Sequence, residues 1–335
     1  LIFTPLPQAI EILSLFDLTR QRTLSFPFFN SHSDTTVLNY LFTLQPHFYS
    51  KMQVIKHISD LQAILDIKRK EGLKISFVPT MGALHAGHLS LVDLAGMHSN
   101  FVVVSIFVNP TQFNDKADLE RYPRDLQKDV DLLSPTACQL VFAPEAEEVY
   151  PEPDTRQFNF GPLEQVMEGK FRPGHFNGVA QVVSRLFDIV LPDQAYFGLK
   201  DFQQLAIINE MVRKLNLPVE IVPCPIIREA DGLAMSSRNM LLDAEQRENA
   251  THISATLFEA ANKTGELSVE ELCQWVINRI NENNFLNTEY FEIVNDVTLL
   301  PVKNWNDPGR KIGCIAVHCG KIRLIDNMEF KTLNY

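Results

Sequence analysis

Pro79-Thr80-Met81-Gly82-Ala83-Leu84-His85-Ala86-Gly87-His88 is the stretch that decides how this chain folds. It follows an apolar run over residues 74–78 that reads as a short buried strand. It opens an amphipathic helix expected over about 88–98. Two histidines and two glycines therefore stand where a strand hands over to a helix N-terminus. Backbone N–H groups and the helix dipole favour an anion at such a place. Gly82 permits a turn that a side chain would obstruct, and Gly87 lets backbone approach a phosphate. His85 and His88, three residues apart, share a helical face. Their imidazoles are able to donate N–H groups to phosphate oxygens and to stabilise charge on a departing group. A lone histidine is more often simply packed, but a pair bracketing a glycine on this turn is harder to explain that way. A zinc pair would need further ligands, and none stands nearby. No G-x-x-x-x-G-K stretch exists, which excludes a P-loop as the phosphate cradle.

Outward from this turn, strands and helices alternate. A surface helix is expected over 54–69, with Ile58, Leu61, Ile64, Leu65 and Ile67 on its apolar face, Ser59 as its cap and Gly72 after its end. Further strands are expected at 101–108, 139–143, 195–197 and 219–223, with helices at 118–133, 178–190 and 202–215. The run at 101–108 is continuously apolar, as in a parallel strand covered on both faces. This order implies βαβ units and an α/β fold with a mostly parallel sheet. Ligands should then lie beyond the C-terminal ends of the strands. Pro79, Asn109, Gly198 and Ile227 all follow expected strands. Past about residue 228 the pattern changes to two helices, 244–263 and 269–283, and three strands, 290–294, 312–317 and 322–325, a smaller α+β domain.

The chain has 335 residues, 45% hydrophobic and 21% charged, enough for roughly two globular domains. A formal net charge of −11 argues against a general nucleic-acid surface, since phosphate backbones attract clustered Lys and Arg. Five cysteines without tight C-x-x-C spacing suggest neither a disulfide framework nor a zinc site and fit reduced thiols in the cytoplasm. Residues 1–51 are rich in Phe and Leu but broken by Pro5, Pro7, Pro27 and Pro46. They match neither a membrane span, a signal peptide nor a transit peptide. The expected division is an extension over 1–51, a nucleotide-binding domain over 52–226 that starts at Met52, and a C-terminal lid over 227–335. A targeting or interaction arm is the rival reading of the first segment.

Four more blocks carry polar chemistry. Asn109-Pro110-Thr111-Gln112 offers two amides suited to the hydroxyls and carboxylate of a small polar substrate, although Asn-Pro is also an ordinary turn signal. Arg172-Pro173-Gly174-His175 joins a cation to a hinge and a helix start. Gly198-Leu199-Lys200-Asp201, with Gln203 and Gln204 beyond, places Lys200 as a point charge at a strand end. Asp201 either caps the next helix or reaches a ribose hydroxyl. Met235-Ser236-Ser237-Arg238 supplies hydroxyls and a guanidinium on a turn, which suit phosphate oxygens. Alone, a serine-rich turn is usually a helix cap.

Taken together, residues 80–88 are similar to the HxGH signature of adenylate-forming Rossmann-like enzymes, and residues 235–238 to their KMSKS loop. From about Met52 onward the chain resembles the pantoate–β-alanine ligase (pantothenate synthetase) family. The resemblance implies a Rossmann-like sheet domain with a smaller C-terminal domain, typically in a homodimer. It implies that pantoate attacks the ATP α-phosphate to give pantoyl-adenylate and pyrophosphate, with Mg²⁺ required, and that β-alanine then attacks to give pantothenate and AMP. It implies catalytic roles for His88, as the acid near the leaving phosphate, and for His85, Lys200 and Arg238. ATP would be held by Met81, Gly82, Ala83, Leu84, His85, Ala86, Gly87, His88, Gly198, Leu199, Lys200, Asp201, the backbone of Ile227, and Met235, Ser236, Ser237 and Arg238. Gln112 and Gln204 would hold pantoate, with Gln112 also near β-alanine. Asn109, Tyr122, Arg172 and His175 would line the cleft. Leu199 stands where the family often has Glu. A nucleotidyltransferase, an aminoacyl-tRNA synthetase fragment and a regulatory nucleotide-binding protein without turnover are the rival classes.

Overall fold

The computed structural model describes residues 52–98, 101–112, 119–120 and 122–331. The expected extension over 1–51 lies outside them, as do Phe113, Asn114 and Arg121. Six strands form one sheet: β1 (Gln53–Ile55), β2 (Ile75–Thr80), β3 (Phe101–Ile106), β4 (Cys138–Phe142), β5 (Gln194–Gly198) and β6 (Glu220–Cys224). Their order is β1-β4-β3-β2-β5-β6, and every pair is parallel. The connecting helices are α1 (Ile58–Lys70), α2 (Ala86–His98), α3 (Leu126–Leu133), α4 (His175–Val190) and α5 (Phe202–Leu215).

The apolar run in β3 shows why the sheet needs two covers. Phe101 and Val103 join the core with α1, α4 and α5, whereas Val102 and Val104 join the opposite core with α2 and α3. Successive side chains point to opposite faces, so a strand apolar at every position must be buried on both. From β2 the chain steps to β3 and β4 on one side, then returns to β5 on the other side of β2. That reversal opens a crevice between the C-terminal ends of β2 and β5.

Three expectations change. The expected helix over 54–69 is two elements, because β1 adds an edge strand beside β4 and α1 begins at Ile58. Ser59 is not its cap. The N-cap position is His57, and the Ile58 N–H donates to Glu148 Oε1 at 2.8 Å. The expected helix over 118–133 is interrupted: Leu119 and Glu120 are helical, residues 122–125 are not, and α3 begins at Leu126, where Asp125 accepts the Lys128 N–H at 3.1 Å. Pro123 disfavours helix at the residue before it.

The C-terminal part holds α6 (Ala244–Ala261), α7 (Val269–Asn281) and an antiparallel sheet of β7 (Leu286–Asn295), β8 (Lys311–Cys319) and β9 (Ile322–Phe330). Both helices start on capping boxes, Asp243 with Gln246 and Ser268 with Glu271, which satisfy end amides the helix cannot. A separate apolar cluster of Met167, Phe202, Tyr290, Val294, Ile312 and Cys314 seals this sheet to the larger one. All five cysteines are free thiols. Among the described residues no helix is long and apolar enough to cross a membrane.

Gly178 on α4 sets how closely that helix approaches the turn at Pro110–Gln112. A Cβ there would stand 2.6 Å from the Thr111 carbonyl oxygen and 2.9 Å from Gln112 Cα, both backbone. Gly178→Ala should therefore destabilise the fold by about 1–3 kcal/mol, the usual cost of overpacking, as read by urea unfolding. An unchanged midpoint would mean that the turn yields freely.

Candidate active site

The crevice at the strand reversal is a cleft of ≈ 210 Å³ whose walls include Met81, His85, His88, Gln112, Tyr122, Lys200, Gln204 and Met235. It adjoins a second cavity of ≈ 630 Å³ lined by Arg172, Lys200, Ser236, Arg238 and Arg323, with Lys200 and Asp201 common to both. The histidine turn and the serine–arginine turn thus meet across Lys200.

The turn after β2 is held from beneath. Asp129, buried on α3, accepts the N–H groups of Ala83 at 3.0 Å and Leu84 at 2.7 Å. Gly82 and Ala83 both have positive φ, and a Cβ on Gly82 would stand 2.9 Å from Asp129 Oδ2. The Gly82 N–H donates to Thr80 Oγ1. Most of the amides expected to meet an anion thus have partners inside the turn. The N–H groups of Gly82, Ala83, Leu84, His85, Gly87 and His88 all have acceptors within the turn or on Asp129.

The imidazoles take over the donor role. The Gly87 N–H donates to His85 Nδ1 at 3.1 Å, and the His85 N–H donates to His88 Nδ1 at 3.3 Å. Each Nδ1 is thus an acceptor, which assigns each neutral ring its proton on Nε2. The rings lie 4.1 Å apart between centroids. Gly87 leaves room for the His85 ring, from which a Cβ would fall 2.8 Å. Burial, reinforced by the Lys200 ammonium, lowers His85 from 6.5 to about 4. Burial, with His85 and Lys200, holds His88 well below its ordinary value.

On the other side of the cleft, Gly198 ends β5, and the turn Leu199–Asp201 is pinned to β9. Asn327 Nδ2 donates to the carbonyls of Leu199 at 2.8 Å and Lys200 at 2.9 Å. The Leu199 side chain packs against the core. Asp201 occupies the N-cap position of α5 but makes no capping bond. Its carboxylate lies 4.0 Å from Lys200 Nζ. Ile227 lines the cleft, with its carbonyl taken by the Met235 N–H at 3.0 Å. Ser237 is buried and donates to the Ala83 carbonyl at 3.1 Å, so it ties the two turns together. Ser236 caps the turn by accepting the Arg238 N–H.

Elsewhere on the cleft wall, Gln112 Nε2 lies 2.8 Å from Met81 Sδ, and Oε1 accepts from Asn109 at 3.3 Å. Asn109 has no exposed surface and is also bonded to Gly178, Thr111 and Tyr150, so it holds Gln112 instead of lining the cleft. The adjacent glutamines divide. Gln203 is buried against the carbonyls of Leu163 and Val166, whereas Gln204 lines the cleft. Arg172 and His175 contact each other at 3.1 Å in a neighbouring recess.

A profile of the pantoate-beta-alanine ligase family matches residues 53–329. The chain belongs to that family. It is 56% identical to a pantothenate synthetase of Bacteroides fragilis over 280 residues, which cover 84% of this chain and 99% of the relative. The crystal structure of pantothenate synthetase from Thermus thermophilus superposes with a TM-score of 0.79 at 43% identity, covering 84% of this chain and 100% of that one. A pantoate-beta-alanine ligase from Francisella tularensis, complexed with beta-gamma ATP and beta-alanine, gives 0.72 at 34% identity, covering 84% and 98%. In this ligase, Asp129, Asn327 and Asn109 support the site from outside the cleft. Asp129 left a faint sequence signal, a carboxylate inside an apolar helix face. Asn327 left none.

Two outcomes follow from this geometry. Asp129→Ala strands two buried amides, so stability should fall by about 1–3 kcal/mol for each, and nucleotide titration should show weakened binding. Unimpaired binding would dismiss the clasp. The folded protein also binds fewer protons than the unfolded chain between pH 6.5 and about 4, because His85 is depressed. Stability from the neutral ring is present above 6.5 and lost as pH falls through that window. Urea midpoints should drop across it, and less so in His85→Asn.

Proposed function

We propose that the cleft condenses pantoate with β-alanine at the expense of ATP, through pantoyl-adenylate. One observation carries this reading: His85, His88 and Lys200 share a cleft with Gln112 and Gln204, and Lys200 continues it to Ser236 and Arg238. A triphosphate and a small acid thereby meet at one cationic junction. A pantoate carboxylate oxygen attacks the α-phosphorus, and the bond to the β-phosphate oxygen breaks to release pyrophosphate. The β-alanine amine then attacks the acyl carbonyl, and AMP leaves with the bonding pair.

Two anions must approach each other, and Lys200 and Arg238 offset that repulsion. The Nε2–H groups of His85 and His88 stabilise charge as pyrophosphate departs. Holding the reactants in register is worth up to roughly 7–11 kcal/mol of barrier. Gln112 and Gln204 suit the hydroxyls and carboxylate of pantoate, and Phe107, Val179 and Val182 give its geminal methyl groups an apolar wall. A closed site protects the mixed anhydride from water.

Magnesium belongs to the same reading. Among the described residues no group of three or more His, Cys, Asp or Glu could hold a metal ion by itself. Asp201 offers one carboxylate on the cleft wall, and a Mg²⁺ ion that retains several waters takes further ligands from the phosphates. When bound, it supplies charge neutralisation at the triphosphate. A homodimer rests on the family resemblance, a cytoplasmic location on five cysteines that fit reduced thiols, and the division at residues 51 and 226 on the shifts in composition and pattern along the chain.

The deciding assay measures AMP formation with pantoate, β-alanine and ATP omitted in turn. Formation that continues without pantoate would overturn the assignment. His88→Ala should cut pantoate-dependent ATP–pyrophosphate exchange by about 10²–10³-fold while the fold persists. Gln112→Ala should raise KM for pantoate more than KM for ATP, and equal losses would count against its role.

A further inference from the structure

His175, at the start of α4, commits both ring nitrogens. Nδ1 lies 3.0 Å from the main-chain carbonyl oxygen of Gln112, and Nε2 lies 3.1 Å from Arg172 Nη1. A carbonyl only accepts and a guanidinium only donates. The ring is therefore the neutral tautomer with its proton on Nδ1. This is the reverse of the assignment at His85 and His88. Burial, followed by the Arg172 charge, lowers His175 to about 4, so the assignment holds through the neutral range.

Arg172 is itself fixed. Its Nη1 lies 3.3 Å from Glu168 Oε2, and Glu168 accepts from Arg323 at 2.9 and 2.6 Å and from the Tyr290 hydroxyl at 2.8 Å. Burial works to raise the Glu168 carboxyl, but the Arg323 fork outweighs it and holds the group at about 2. Arg323 is shared with Glu289 at 2.6 Å. A line of charged contacts thus runs from the C-terminal sheet to the ring of His175, and through it to the backbone of Gln112. Asn109 and Met81 hold the side chain of the same residue.

We propose that His175 is a positioning residue: its Nδ1–H fixes the main chain at Gln112 so that the Gln112 amide faces the acid substrate. This rests on the assignment of Gln112 to pantoate made above. His175 has no proton to exchange with substrate, since one nitrogen donates to a carbonyl and the other accepts from a guanidinium.

Two substitutions separate positioning from packing. His175→Asn keeps a donor near the place of Nδ1, whereas His175→Gln moves the amide out toward Nε2 and loses the contact with Gln112. His175→Gln should raise KM for pantoate about ten-fold or more with KM for ATP nearly unchanged, and His175→Asn should restore most of the loss. Equal effects of the two variants, or parallel rises in both KM values, would overturn the proposal. Nitrogen-15 spectra of histidine-labelled wild-type protein near neutral pH test the ring directly, even where a variant fails to fold. A proton on Nδ1 is expected at His175, and one on Nε2 would overturn the proposal. If wild-type protein shows no pantoate-dependent exchange, the functional assignment fails while the spectra still report on the ring.

Discussion

One carboxylate, Asp129, holds the site in shape by accepting the amides of Ala83 and Leu84. These residues sit in a turn with two consecutive positive φ angles, a conformation that is unfavourable for Ala83 without compensation. Two charge-assisted hydrogen bonds supply that compensation. The turn in turn delivers the His85 and His88 rings to the cleft, and its Ala83 carbonyl receives Ser237 from the second turn. The clasp therefore acts on both turns that flank the cleft.

Most amides of this turn have acceptors within it or on Asp129, so side chains supply much of the positive character of the cleft: two Nε2–H groups, Lys200 and Arg238. That concentrates cationic charge at one junction in a chain whose formal net charge is −11. Neutral imidazoles suit this setting, because charged rings beside Lys200 would repel it and each other. The same logic recurs at the interface of the two sheets, where Glu168 offsets Arg323 and Arg172.

Much of the fold was legible because burial on two faces demands apolar residues at every strand position, and residues 101–104 display that demand. The edge strand β1 was not legible. Three residues with one face exposed carry too short a pattern to distinguish from the start of α1. The break ahead of α3 was missed because periodicity extended through Pro123, where backbone sterics interrupt the helix. The site blocks lay where strand ends predict them, but their internal division of labour was hidden. Gln203 and Gln204 are indistinguishable by type, and the helical phase of α5 against residues 163–166 sends one inward and the other to the cleft. Asn109 looked like a ligand because its chemistry is right. It is buried, and its hydrogen bonds are already made.

By itself the sequence determined the alternation of strand and helix, the positions of the two turns at the cleft and the residue types gathered there, since these follow from local periodicity and from which groups can meet an anion. Only the tertiary structure decided which of those groups are free to act. Hydrogen bonds between distant segments, Asp129 to Ala83 and His175 to Gln112, consume some donors and orient others, and no local pattern records which partner lies across a fold.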